Sequence, residues 1–211
     1  GTSHHLRSVA YSNGQYIIVG DKGTILSSSD GVTWTERISG TSKCLESITY
    51  VNNQFITAGQ DGTILTSSDG VTWTIRSFES GEDLESVTYG NNKYIAVCPR
   101  YMEPEDYIIT SPDGITWKEI SSGIDCDLES IIYANNQFIA VGDHGTILTT
   151  PDGVTWTDRS TGTVDQLESV VYGNSQFVAV GGYYSDSTAI FTSTDGNTWT
   201  KRSSGTIHRT K

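Results

Sequence analysis

The sequence predicts an all-β protein: a five-bladed β-propeller of four-stranded antiparallel blades, with no closing blade shared between the termini. Three observations carry that prediction. One short unit recurs five times along the 211 residues. Within each unit the apolar residues alternate with period two. Between the alternating runs stand Asn-Asn, Asn-Gly and Asp-Gly pairs, which suit the tight turns of hairpins.

Two anchors measure the repeat. Asp-Gly pairs begin at Asp30, Asp69, Asp113, Asp152 and Asp195, with spacings of 39, 44, 39 and 43 residues. A second anchor, Leu-Glu/Arg-Ser-Val/Ile, begins at Leu6, Leu45, Leu84, Leu128 and Leu167. Residues 45–77 and 128–160 are identical at 24 of 33 positions without a gap. The repeats divide residues 1–211, read as a single domain, into 1–39, 40–78, 79–122, 123–161 and 162–205. Four strands in 39 to 44 residues make a propeller blade. A lone blade cannot bury both of its faces, so the units must stack on one another.

The second unit shows each element in order. LESITY (45–50) alternates, which places Glu46, Ile48 and Tyr50 on one face and Leu45, Ser47 and Thr49 on the other. Asn52-Asn53 tolerates positive φ and closes a two-residue primed turn. QFITAG (54–59), rich in β-branched and aromatic residues, is the second strand. Gln60-Asp61-Gly62 turns the chain into the third strand, TILTSS (63–68). Asp69-Gly70 is a strong hairpin signal, and VTWTIRS (71–77) follows as the fourth strand. Gly1-Thr2-Ser3 match Gly40-Thr41-Ser42, and Gly205-Thr206 begin the same linker again. The chain thus runs from an innermost strand to an outermost one. Closure of a ring rests on packing of the first blade against the last, and an open part of a larger propeller is the alternative.

Composition narrows the function classes. With 13 basic and 25 acidic residues the formal charge is −12, which argues against nucleic acid as a partner, since phosphate neutralisation supplies most of that affinity. No apolar run is long enough to span a membrane, and no signal-peptide pattern is read. Cys44, Cys98 and Cys126 make an odd count without metal-ligand spacing, so free thiols are expected, with a Cys98–Cys126 disulfide as the alternative.

The box SSDGVTWT at 28 and 67 returns as SPDGITWK at 111, TPDGVTWT at 150 and STDGNTWT at 193. It resembles the Asp-box, or bacterial neuraminidase repeat, shortened here by one residue. The fuller pattern, LESVxYGNxQFxAVGxxGTILTSxDGxTWT, is similar to repeats of bacterial surface and secreted proteins and of the photosystem II assembly factor. The resemblance implies a propeller and an extracellular or cell-surface location in a bacterium. It does not select a function, because that superfamily holds lectins, hydrolases and scaffolds. Physically the box reads as a joint: Asp accepts turn N–H groups, Gly supplies positive φ, and Trp34, Trp73, Trp117, Trp156 and Trp199 bury large area. The sialidase centre that the resemblance suggests needs a converging arginine triad. Arg37, Arg76, Arg159 and Arg202 instead recur three residues after Trp, on the outermost strand, which points them around the perimeter. No enzyme is expected, and no catalytic residues, metal or cofactor.

Turns sort onto two faces because strand direction alternates. The Asn-Asn turns and the boxes share one face; the linkers, the inner-strand starts and the second turns share the other. Propellers commonly bind ligands on this second face, as the resemblance implies. Glu46, Glu85, Glu129 and Glu168 occupy one repeat position there, with Arg7 in the first blade, an acidic ring with one basic break. Like charges so placed raise one another's pKa unless a cation sits among them. Insertions at 98–107 and 181–189 bring Tyr101, Glu103, Glu105, Asp106, Tyr183, Tyr184 and Asp186 to the same face, and tyrosines beside carboxylates suit sugars. His4, His5, His144 and His208 fall on that face too, from distant blades and without ligand spacing.

These residues predict a non-enzymatic, ligand-binding propeller, monomeric, with a carbohydrate as first choice. Its five near-equal blades resemble the architecture of the tachylectin-type lectins. Two alternatives remain: a protein-interaction scaffold whose acidic face docks a basic partner, or a structural or engineered repeat with no ligand. The predicted ligand-binding residues are Glu46, Glu85, Glu129, Glu168, Tyr101, Tyr183 and Tyr184.

Overall fold

A computed structural model describes residues 2–78, 81–99, 108–182 and 188–204. Its strands form five antiparallel sheets of four, each meandering in sequence order. The first blade holds β1 (Leu6–Ser12), β2 (Gln15–Gly20), β3 (Thr24–Ser28) and β4 (Thr35–Arg37). The second holds β5 (Leu45–Val51), β6 (Gln54–Gly59), β7 (Thr63–Ser67) and β8 (Thr74–Ile75). The third holds β9 (Ser86–Gly90), β10 (Lys93–Val97), β11 (Ile108–Ser111) and β12 (Lys118–Ile120). The fourth holds β13 (Leu128–Ala134), β14 (Gln137–Gly142), β15 (Ile147–Thr150) and β16 (Thr157–Asp158). The fifth holds β17 (Leu167–Gly173), β18 (Gln176–Gly181), β19 (Ala189–Ser193) and β20 (Thr200–Lys201). Asn52 and Asn53 both take positive φ, 48° and 62°, so the first hairpin closes through the expected primed turn.

Two local expectations are corrected. The first strand does not alternate through its start: the ladder slips between Leu45 and Ser47, and likewise at the matching residues of the first, fourth and fifth blades. That bulge turns Leu45 onto the face of Ile48 and Tyr50, where all three pack together, and it releases Glu46 from simple alternation. The box is also not a two-residue hairpin. Residues 68–73 form a longer loop, and the fourth strand shrinks to Thr74–Ile75. The cause is the Asp69 carboxylate, which accepts from the N–H groups of Val71 and Thr72 at 2.8 Å each and so holds them out of the ladder.

The core lies between blades rather than within them. Inner strands of successive blades adjoin: β1 with β5, β5 with β9, β9 with β13, and β13 with β17. Each junction is sealed by residues from both sides. At the first, Ile17, Val19 and Ile25 of one blade meet Leu45, Ile48, Phe55 and Leu65 of the next. Three equivalent clusters follow along the chain, so four apolar junctions join the five blades. Polar contacts repeat as well. The side chains of Gln15, Lys93 and Gln137 donate to the box carbonyls of Asp69, Asp152 and Asp195 at 2.6–2.7 Å. Gly70 serves both demands of the joint: φ is 69°, and a Cβ there would stand 2.8 Å from Ile17 Cδ1.

The two end blades keep the same faces without the same cover. Val9 is 60% exposed, whereas Ile48, Val87, Ile131 and Val170 at its repeat position are buried. Leu6 is 48% exposed, and Leu45, Leu84, Leu128 and Leu167 are buried. On the far side of the fifth blade Val180 is 40% exposed, while Val19, Ala58, Val97 and Val141 are fully buried. Among the described residues the first blade is therefore not packed against the last as the other blades are packed on one another, and the five blades form an open arc. No disulfide joins Cys44, Cys98 and Cys126, and Cys98 and Cys126 lie buried in neighbouring junctions.

Candidate functional site: the acidic axial face

In the second, fourth and fifth blades the bulge that opens the inner strand sets a glutamate where the second-to-third-strand turns also arrive, and Glu85 holds the same repeat position in the third. Glu46, Glu85 and Glu129 are partly buried there, and Glu168, on the last blade, is exposed. They are close enough to feel one another. Burial, then the charges of Glu46, Glu129 and Asp83, push the Glu85 carboxyl up to about 7. Glu129 is raised by burial as well, although it accepts a hydrogen bond from Gln166 Nε2 at 2.6 Å that works the other way. Glu46 is likewise raised by burial, which outweighs the opposing charge of Arg7.

Arg7 is the basic break. Its guanidinium lies 3.1 Å from Glu46 and donates to Asp21 at 2.8 Å, which holds Arg7 above and Asp21 below their ordinary ranges. Each ring position thus reaches the one in the adjoining blade. Lys43 pairs with Asp61 nearby on the turns. The arrangement concentrates carboxylates around one cation, an electrostatic seat for positive charge.

The sequence-predicted glutamates are brought together; Tyr101, Tyr183 and Tyr184 lie outside the described residues, with Glu103, Glu105, Asp106 and Asp186. Sequence reasoning missed Asp83 and Gln166. Both precede the repeated Leu or its Glu by one or two positions, where the five units differ in residue type (His5, Cys44, Asp83, Asp127, Gln166). A search for repeated residues passes over such a position. His4 bonds Thr24 Oγ1 at 2.8 Å and His144 sits 2.7 Å from Asp143, in separate blades. Among the described residues no group of three His, Cys, Asp or Glu side chains is gathered for a metal. Nor is any helix among them long and apolar enough to cross a membrane.

On the opposite face each box is a hydrogen-bonded joint. Ser67 Oγ donates to Asp69 Oδ1 and accepts from the Gly70 N–H, both at 2.9 Å, and all five boxes repeat the pattern, with Thr150 in place of serine once. These bonds favour the ionised carboxylate and draw Asp30, Asp69 and Asp113 down to about 2. Arg37 and Arg202 donate to Ser27 and Thr192 of their own blades, far apart on the perimeter.

No family model matches the sequence, and no curated protein does. Solved structures match in fold. The chain is similar to YCF48 bound to D1 peptide, with a TM-score of 0.68 and 18% identity over 94% of this chain and 66% of that one. It is similar to YCF48 from Cyanidioschyzon merolae, with a TM-score of 0.68 and 16% identity over 94% of this chain and 72% of that one. The WD40 β-propeller domain of Doa1 gives 0.66 at 15% identity over 99% and 69%. The chain spans about two thirds of the length of these structures. At such identities the likeness establishes the β-propeller fold.

Proposed function

We propose that this chain is a non-enzymatic protein-interaction scaffold whose acidic axial face receives a cationic peptide segment. One observation carries the reading: Glu46, Glu85 and Glu129 gather partly buried on one face, where burial and like charges push Glu85 up to about 7 although Arg7 offsets part of that repulsion. A lysine or arginine entering beside Glu85 and Glu129 would relieve that repulsion, and its gain would be larger for being partly desolvated. The YCF48 fold taking up a peptide agrees with a peptide on this arc. The sugar reading drew on the inserted tyrosines and on equivalent clefts between blades. Those junctions are filled by apolar clusters.

Fluorescence anisotropy with cationic, neutral and anionic peptide pools tests it. The cationic pool is expected to bind, and Glu85→Gln with Glu129→Gln to weaken it at least about tenfold, or about 1.4 kcal/mol. Equal binding of all three pools, or of wild type and the double variant, would sink the reading.

A further inference from the structure

The two ends of the arc are halves of one interface. The outer face of the first blade carries Leu6, Val9, Tyr11 and Tyr16, all exposed, at positions that elsewhere receive the preceding blade. The far face of the fifth blade carries Val171 and Val180, exposed, at positions that elsewhere pack under the following blade. We propose that the fifth blade of one copy of this chain seats on the first blade of another, through the junction already built four times within the chain. This departs from the monomer expected from the repeat count.

Polar groups at the two ends match the interior pattern. Gln176 stands where Gln15 and Gln137 donate to the next blade's box carbonyl, and the carbonyl of Asp30 stands where those of Asp69 and Asp195 accept. Ser169 stands where Ser8, Ser86 and Ser130 accept the inner-strand N–H of the next blade, and the N–H of Val9 is the matching donor. Gly31 leaves the space beside the first box that Gly70 and Gly196 leave for the isoleucine of the blade before.

Charge fixes the partner more narrowly. Within the chain the ring positions of adjacent blades set Glu85 between Glu46 and Glu129, and these repel. At a junction of the fifth blade with a first blade, Glu168 would instead meet its opposite, Arg7. Arg7 already spans one such step, reaching Glu46 at 3.1 Å. Gln166 also bridges a step, bonding Glu129 in the preceding blade, and His5 occupies its place in the first blade. The one break in the acidic series therefore lies where a second copy would present its last glutamate. Such a contact is heterologous: it ends in a ring when the rotation closes and in an open array when it does not.

Sedimentation velocity across a concentration series tests the pairing, with circular dichroism to confirm that each variant is folded. Wild type is expected to associate reversibly, as a discrete ring or as a ladder of sizes. Val9→Glu and Val180→Glu each bury a charge at one half of the contact, and each is expected to lower the self-association constant at least tenfold. Mixed together, the two variants retain one intact half each and are expected to form a pair that stops at two chains. Glu168→Arg is expected to weaken association, and Arg7→Glu in the same chain to restore it. Wild type that remains a monomer at every concentration overturns the proposal, whether its ends stay open or close on each other. Folded variants that fail to pair when mixed overturn it as well.

Discussion

At the scale of single residues, the same aspartate that makes the box a joint makes the fold acid-sensitive. The carboxylates of Asp30, Asp69 and Asp113 ionise at about 2, because each holds backbone N–H groups as well as a serine hydroxyl. In the unfolded chain they ionise near the ordinary value of about 3.9. The unfolded state thus binds protons more readily between those values, so this stabilisation is complete above about pH 4 and is lost as pH falls towards 2. Thermal melts are expected to show the melting temperature falling across that window. Asp69→Asn, which cannot ionise, is expected to start lower at neutral pH and to fall less. Parallel curves for the two proteins would show that the box carboxylate does not set the acid limb.

Within an element, repeat position alone does not fix what a side chain contributes. Val9 and Val170 are the same residue type at the same place in the innermost strand, yet one is exposed and the other buried beneath the preceding blade. Val170→Ala removes two buried methyl groups and is expected to cost about 2 kcal/mol. Val9→Ala is expected to cost less than about 0.5 kcal/mol in the isolated chain, as for other exposed positions. Urea melts at low protein concentration measure both. Equal costs would mean that the first blade is covered in solution and that the arc is closed. The strand itself was legible from its alternation and turn residues. The bulge at its start was not, because a single extra residue leaves LESITY reading as a regular strand, and it reverses the side on which Leu45 lies.

For the molecule as a whole, the axial glutamates are a cost that rises with pH. Glu85 ionises at about 7 when folded and near the ordinary glutamate value of about 4.3 when unfolded. The folded state therefore holds its proton longer. Stability is greatest below the unfolded value and declines as pH rises through the interval up to about 7. Glu85→Gln is expected to raise the melting temperature near pH 8 and to leave it unchanged near pH 4. A shift of equal size at both pH values would assign the effect to packing instead of charge. By the same sign, a cationic peptide that favours ionised Glu85 is expected to bind more tightly as pH rises from about 5 to about 8. The glutamate series was visible in the sequence because it repeats. Its coupling to Asp83 and Gln166 was not, since those positions vary among the units and only the blade-to-blade approach brings them in.

What the sequence determined by itself is the unit: five blades, four strands in each, and a turn at every place where Asn, Asp or Gly takes positive φ. These follow from interactions among residues a few positions apart, and such interactions are written in short patterns. The tertiary structure alone decided that the arc stays open and that its acidic positions meet along one face. Both depend on how each blade is set against the next, through side chains some forty residues apart such as Ile25 and Leu65. The small rotation at every junction adds along the chain, so its sum, and not any one motif, fixes whether the first and last blades touch.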